Sequence, residues 1–327
     1  MKLEPNLWFD EVVKTYHRIS PHIHHTPLIT CPYLNEELSG MYLFKTESLQ
    51  ITGSFKIRGA LSAISRLSKR ELKRGVIAYS SGNHAQGVAH AAKVFNTPAT
   101  VVMPKDAPAG KIANARSLGA EVIFYDRHTE SREEISLEIA KDRNLVVIKP
   151  YNALATIYGQ GTAAYEVIND ANNPKLDNAI ICAGGGGLTA GSCISIKHIN
   201  PECNVFTAEP EAWNDHQLSF EKNERVAMDT NRGGLCDGLL TPTPGEIPFA
   251  INTHFGVKGL AASDQAVCEA MRYAFNRLNL KLEPSGAVAL ACLLENKEKF
   301  RGTRTLVMLS GGNVDQKTFT DCLARAS

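Results

Sequence analysis

From about Gly75 onward, short apolar, β-branched runs alternate with longer segments whose apolar positions recur at helical spacing. GVIAYS, ATVVMP, EVIFYD and LVVIKP read as strands, with NHAQGVAHAAKVF, GKIANARSLGA and SREEISLEIAKDR as helices between them. Further on, NAIICAG passes into GGGLTAGSCISIKHI, NVFTAEPE reads as another strand, and TRTLVMLSGGN carries the last. Apolar strands alternating with helices predict an α/β fold with two open, twisted, mostly parallel sheets covered by helices on both faces. The smaller sheet is expected from residues 69–151, a small mobile domain. The larger is expected from residues 1–68 together with 152–327. Gly233 to Phe249, with TPTPGEIP inside it, lacks periodicity and reads as a loop. Upstream, Ile57, Ala60, Leu61 and Ile64 recur at helical spacing, so a helix is expected to begin at Lys56.

Composition narrows the partner. The 327 residues, 43% of them hydrophobic, carry 35 basic against 34 acidic side chains. A chain this long and apolar can bury a large core, and a near-zero net charge gives no field to attract nucleic acid or an acidic membrane. A small molecule is the expected partner. Acids at Glu4, Asp10 and Glu11 interrupt the stretch where a secretory signal would keep its apolar core. No apolar run approaches the ~20 residues that span a bilayer, so a cytoplasmic location is expected. Eight cysteines are scattered without a CxxC pair, which argues for buried thiols in a reducing compartment rather than a disulfide framework or zinc cage. There is no internal repeat, and no appended C-terminal regulatory module is expected.

In open parallel sheets ligands sit beyond the carboxyl ends of the strands, so the strand-to-helix turns are the places to look for chemistry. Three stand out. AGGGGLTAG, Ala183 to Gly191, follows an apolar strand and leads into a helix. Its four consecutive glycines let backbone N–H groups converge on an anion, most naturally a phosphate. A dinucleotide site with Glu209 as its ribose acid is the rival, although the glycine spacing fits GxGxxG poorly. SSGNHAQG, Ser80 to Gly87, crowds two hydroxyls, an amide and an imidazole into one turn, more than a helix N-cap requires. LSGGNVD, Leu309 to Asp315, sets Ser310 at a strand end, where it can be a turn residue or part of a site. Beside these, Lys56 in TGSFKIRGA ceases to look like a surface cation. An amine, a phosphate cradle, an amide and a hydroxyl together suit pyridoxal phosphate.

TGSFKIRGA, SSGNHAQG, GQGT (Gly159 to Thr162), the GGGGL loop and SGGNVD follow one another in the order of a known family, at about its spacing. The chain resembles, over nearly its whole length, the serine/threonine dehydratase and serine racemase family of fold type II pyridoxal phosphate enzymes, whose fold is that of tryptophan synthase β. The resemblance implies that residues 1–68 and 152–327 form the cofactor-binding domain. It implies that Lys56 carries the cofactor and acts as base at Cα, that Phe55 lies against the ring, and that Asn83 bonds its phenolic oxygen. Gly184, Gly185, Gly186, Gly187 and Leu188 would hold the phosphate, and Ser310 would face the pyridine nitrogen. The substrate carboxylate would meet Ser80, Ser81, Gly82, Asn83 and His84. Arg132 would either face substrate or be an exposed helix-start arginine. The implied reaction is dehydration of L-serine to pyruvate, or of L-threonine to 2-oxobutanoate, with release of ammonia.

Ser81 keeps serine racemase open as an alternative, because in the family's racemases a serine here stands opposite the lysine and supplies a second acid/base. 3-Hydroxyaspartate dehydration is also open. TAEPEAWNDHQ resembles the racemases' divalent-cation loop, with Glu209 and Asp215 giving carboxylates and Trp213 a carbonyl to Mg²⁺, or to Ca²⁺ or Mn²⁺. Without the resemblance these two acids would read as solvated. Ile51 stands where nucleotide-activated racemases carry lysine, Ser48 replaces a common asparagine, and LCDGLLTPTPGE is closer to bacterial dehydratases. A homodimer is implied as well. An oxidoreductase using the glycine loop, or a binding protein without chemistry, would leave Lys56 idle.

Overall fold

The apolar runs pair into two sheets in the computed structural model, which describes residues 5–80, 82–107, 109–126, 129–170, 175–229 and 232–326. The strands are β1 (Leu28–Thr30), β2 (Met41–Thr46), β3 (Val76–Tyr79), β4 (Ala99–Pro104), β5 (Glu121–Tyr125), β6 (Val146–Val147), β7 (Asn178–Cys182), β8 (Asn204–Pro210), β9 (Lys258–Ala262) and β10 (Arg304–Leu309). Four of them form one sheet in the order β5-β4-β3-β6, and six form the other in the order β1-β2-β10-β7-β8-β9. Each pairing of these strands is parallel except that of β1 with β2. Every residue of β7 is buried and all but the first of β10, as strands covered on both faces must be. The α/β fold with two mostly parallel sheets is therefore as the sequence pattern predicts.

Three details differ from the expectation. LVVIKP yields only two strand residues; Ile148 N–H still reaches Ile77 O at 2.9 Å, but Pro150 has no N–H to extend the ladder. The stretch from Gly233 to Phe249 is not all loop: a helix, Glu246–His254, starts inside it. The Pro- and Thr-rich lead masks its apolar period, and Pro248 falls in the first turn, where a missing N–H costs nothing. Strand β9, KGLAA, lacks the β-branched residues that flag a strand.

Helix Lys56–Ile64 buries Ile57, Ala60, Leu61 and Ile64 as its period requires. It packs on helix Leu154–Ile168, which in turn packs on helix Gly187–Ile199. Glycine makes both contacts possible. A Cβ on Gly159 would collide with Arg58 O, and one on Gly161 would lie 2.6 Å from Gly191 O. The GQGT segment is thus the spacer that fixes Lys56 relative to the glycine loop.

The same layer holds a wholly buried set of four charges. Arg58 donates through Nε and Nη2 to Glu47 at 2.8 Å each, and through Nη1 and Nη2 to Glu166 at 2.7 and 2.9 Å. Lys45 Nζ donates to Glu166 at 2.5 Å and to Thr26 O at 2.7 Å. All eight cysteines are buried and free. Among the described residues no helix is long and apolar enough to cross a membrane.

Candidate active site

A cleft of about 370 Å³ opens between the carboxyl ends of the two sheets, and the motif residues converge on it. Lys56 lies at its base, the first residue of its helix. Its Nζ donates to Pro150 O at 3.3 Å and stands 5.0 Å from the centre of the Phe55 ring. Burial pushes the amine down to about 8, with the Cys182 thiol and the Glu283 carboxyl opposing. A lysine so placed is neutral far more often than a surface lysine, which a base or nucleophile needs.

Gly184 to Leu188 form one wall at the mouth of helix Gly187–Ile199. Among the described residues none of their N–H groups donates to a backbone carbonyl. Gly186 has φ +84°, where its missing Cβ would also run into the His216 ring; a Cβ on Gly185 would run into Tyr151, and one on Gly187 would lie 2.6 Å from Gln160 Oε1. His216 Nε2 bonds Gly184 O at 2.8 Å, and burial drives its imidazole down to about 4, so the neutral ring braces the loop as a donor. Unpaired donors at a helix start, in a loop with no side chains in the way, make an anion cradle.

Opposite lies helix Asn83–Val94. Asn83 is held at both ends of its amide: Nδ2 donates to Glu283 Oε1 at 2.5 Å, and Oδ1 accepts from Asn313 Nδ2 at 2.7 Å. His84 Nε2 donates to Ile148 O at 2.8 Å, which leaves a buried Nδ1 without a partner. Burial, helped by the Lys56 charge, takes that ring down to about 3. His84 can therefore offer a carboxylate its backbone N–H but not a cationic ring. Ser80 Oγ accepts from Gly82 N–H at 3.2 Å, while Ser81 lies outside the described residues. Ser310 Oγ accepts from Cys182 Sγ at 3.1 Å, and its carbonyl holds Phe55 N–H at 3.1 Å. Arg132 is exposed at its helix start yet lines the cleft, 6.0 Å from the Tyr79 ring centre.

Sequence reasoning missed several cleft residues: Tyr151, Gln160, Cys182, Glu283 and the Lys111–Asp237 ion pair. Glu283 is buried, and burial together with the Asp237 charge lifts its carboxyl to about 8. Its neighbour Pro284 opens a helix, and a buried acid before such a start gives no signal in a single sequence.

Glu209 and Asp215 are not the solvated acids that their polar setting in the sequence suggested. Both are fully buried. Glu209 accepts from the N–H groups of His216 and Gln217 at 2.8 and 2.9 Å, so it is not free as a ribose acid at a strand tip. The Asp215 carboxyl faces that of Glu209, and no N–H or hydroxyl donates to either of its oxygens. Burial raises both carboxyls, Glu209 well up and Asp215 to about 8. Trp213 is buried beside them, its Nε1 donating to Gly233 O at 3.1 Å. Among the described residues no cluster of three or more His, Cys, Asp or Glu side chains could hold a metal, so carbonyls and water would have to complete any cation site here.

Comparison with known proteins agrees with the geometry. Residues 19–311 match the family model described as pyridoxal-phosphate dependent enzyme. The chain is 39% identical over 316 residues to the L-threo-3-hydroxyaspartate ammonia-lyase of Saccharomyces cerevisiae, covering 97% of this chain and 96% of that one. It is 37% identical over 317 residues to the serine racemase of Schizosaccharomyces pombe, covering 97% of each. The structure of the processed form of threonine deaminase isoform 2 from Solanum lycopersicum superposes with a TM-score of 0.91 at 30% identity, over 99% of this chain and 89% of that one.

Proposed function

The chain belongs to the pyridoxal-phosphate dependent enzymes, and from that premise we propose that it is an ammonia-lyase of β-hydroxy-α-amino acids: L-serine, L-threonine and 3-hydroxyaspartate. The observation that carries this reading is the buried Lys56 amine, brought down to about 8, in one cleft with an anion cradle and a helix N-terminus. The cradle fits a phosphate because its donors are unpaired and its floor has no Cβ. Gly184 to Leu188 would hold that phosphate, Phe55 would lie against the ring, Asn83 would meet its phenolic oxygen, and Ser310 would face its nitrogen. Pyridoxal phosphate supplies, when bound, the electron sink that acidifies Cα–H.

The chain's own residues do the rest. Lys56 Nζ takes the proton at Cα and passes it to the oxygen of the departing β-hydroxyl, which leaves as water. The first N–H groups of helix Asn83–Val94 bind the substrate carboxylate, with Ser80, Gly82 and the backbone of His84 shaping the turn and Arg132 on the far wall. Ser310, a neutral hydroxyl, would leave the ring nitrogen without a formal counter-charge, which would favour expulsion of a β-leaving group. Two buried carboxyls that face and repel each other, Glu209 and Asp215, support a divalent cation between them and the Trp213 carbonyl, with Mg²⁺ the first to try.

The test is to incubate the holoenzyme with each of the three amino acids and measure 2-oxoacid, ammonia and the chirality of the remaining amino acid. Oxoacid and ammonia in equal amounts are expected; no product from any of them would end the reading. Racemisation is the second reading, supported by the serine racemase relative and by the presence of Ser81. D-Serine that vanishes in Ser81→Ala while elimination persists would establish it.

Gly186→Ala tests the cradle separately. The alanine would have to take a left-handed backbone and displace the His216 ring that braces Gly184. Titration with pyridoxal phosphate, followed by visible absorbance, is expected to show affinity lowered about tenfold or more. Unchanged affinity would remove this loop as the phosphate seat.

A further inference from the structure

This inference rests on the ammonia-lyase reading and concerns which substrate the cleft selects. We propose that Lys111 receives the side-chain carboxylate of a dicarboxylic β-hydroxy amino acid such as 3-hydroxyaspartate, and that Asp237 holds Lys111 in its place until that carboxylate arrives.

Among the described residues three cations line the cleft: Lys56, Lys111 and Arg132. Lys56 is committed to Cα. The substrate's α-carboxylate is served by the start of helix Asn83–Val94, with Arg132 on the wall beside Tyr79. Lys111 has no task in handling a monocarboxylic amino acid. It projects from helix Ala109–Ser117 beside the smaller sheet, and its Nζ lies 2.8 Å from Asp237 Oδ2 in the turn Asp237–Leu239 across the cleft.

Two features make this pair more than a surface contact. Both partners line the cleft, and both charges act on the buried Glu283 carboxyl, which also feels Lys56. The pair therefore stands within electrostatic reach of the reacting end. Its partners are also unequal, with 22% of the Lys111 side chain exposed against 58% of Asp237. A pair this open holds weakly. Asp237 can turn to water while Lys111 stays at the wall, so an incoming carboxylate exchanges one anion on Lys111 for another. The methyl group of threonine or the hydrogen of serine offers Lys111 nothing in exchange. Asp237, meanwhile, repels a second carboxylate and selects against dianions until Lys111 is released.

The experiment measures kcat/KM of the holoenzyme for L-threo-3-hydroxyaspartate and for L-threonine, and reads their ratio. Lys111→Met is expected to lower the ratio about tenfold or more, as loss of a charge-assisted hydrogen bond would, and Lys111→Arg to restore most of it. Asp237→Asn is expected to raise the ratio about threefold or more. L-Aspartate, which has no β-hydroxyl to lose, gives a readout apart from turnover: its dissociation constant, from the change in cofactor absorbance, should weaken in Lys111→Met in the same proportion. A Lys111→Met ratio that moves less than this, or equal losses for both substrates, would reduce the pair to a latch between the walls and overturn the proposal. Turnover of L-threonine without any turnover of 3-hydroxyaspartate by the unmodified chain would overturn it too. Inactivity on all β-hydroxy amino acids would instead fault the reaction itself.

Discussion

Lys56→Ala is expected to fold as the parent does and to release ammonia more than about 1000-fold more slowly. Little stability depends on the amine. Its hydrogen bond to Pro150 O, at 3.3 Å, is long, and burial works against its charge. Chemically, none of the described cleft residues replaces it. Glu283 is raised to about 8 and engaged by Asn83, His84 is a neutral ring tied to Ile148, and Cys182 is a thiol raised to about 11 that points at Ser310. None of these stands ready as a base for Cα. Thermal melting of the variant should match the parent within a few degrees, and borohydride reduction of the parent holoenzyme should fix the cofactor on Lys56, as peptide mapping would show. Activity within about tenfold of the parent would mean that another group moves the α-proton.

The largest stability effect is expected from Arg58→Met. The four buried charges balance, two cations against two carboxylates, and Arg58 pairs with both Glu47 and Glu166. Removing it leaves two desolvated carboxylates facing one lysine, and breaking such a set by taking one member typically costs about 3–5 kcal/mol. The loss should appear as a lower urea midpoint by circular dichroism. Lys317→Ala, which opens the solvent-exposed pair with Asp321, is the control and should leave the midpoint where it was. A loss below about 1 kcal/mol for Arg58→Met would mean that water or protonation compensates within the layer. Arg58 sits two residues after Lys56, so the same variant should also blur the aim of the amine.

What the sequence reveals about this site follows from how local each residue's signal is. The four glycines, Asn83 and Ser310 occur in short strings next to strand ends, where residue type and position speak together, and Lys56 in a short string at a helix start. Glu283, Tyr151 and Lys111 reach the cleft from distant parts of the chain, and each stands among neighbours that look ordinary. Burial is equally invisible: Glu209 and Asp215 sit in a polar stretch, and it is the packing of helix Asp215–Lys222 on β8 and β9 that encloses them. The sheets were legible because both-sided burial makes their strands continuous apolar runs. β1 and β2, which stand outside the run of alternating strands and helices, were not legible, nor were β9 and the helix at Glu246, whose small residues and prolines carry little periodicity.

The strand order also bears on synthesis. The smaller sheet is drawn from one continuous stretch, Val76 to Val147, whereas β10, which lies between β2 and β7, is the last strand to be made among the described residues. On a ribosome the four-stranded sheet can close early, while β2 waits for a neighbour more than two hundred residues downstream. Until β10 emerges, β2 and β7 each present an unpaired apolar edge, the kind of surface that associates with other chains. A chain halted before Arg304 would therefore keep a complete small sheet but an open large one, with the edges of β2 and β7 exposed until β10 has left the ribosome.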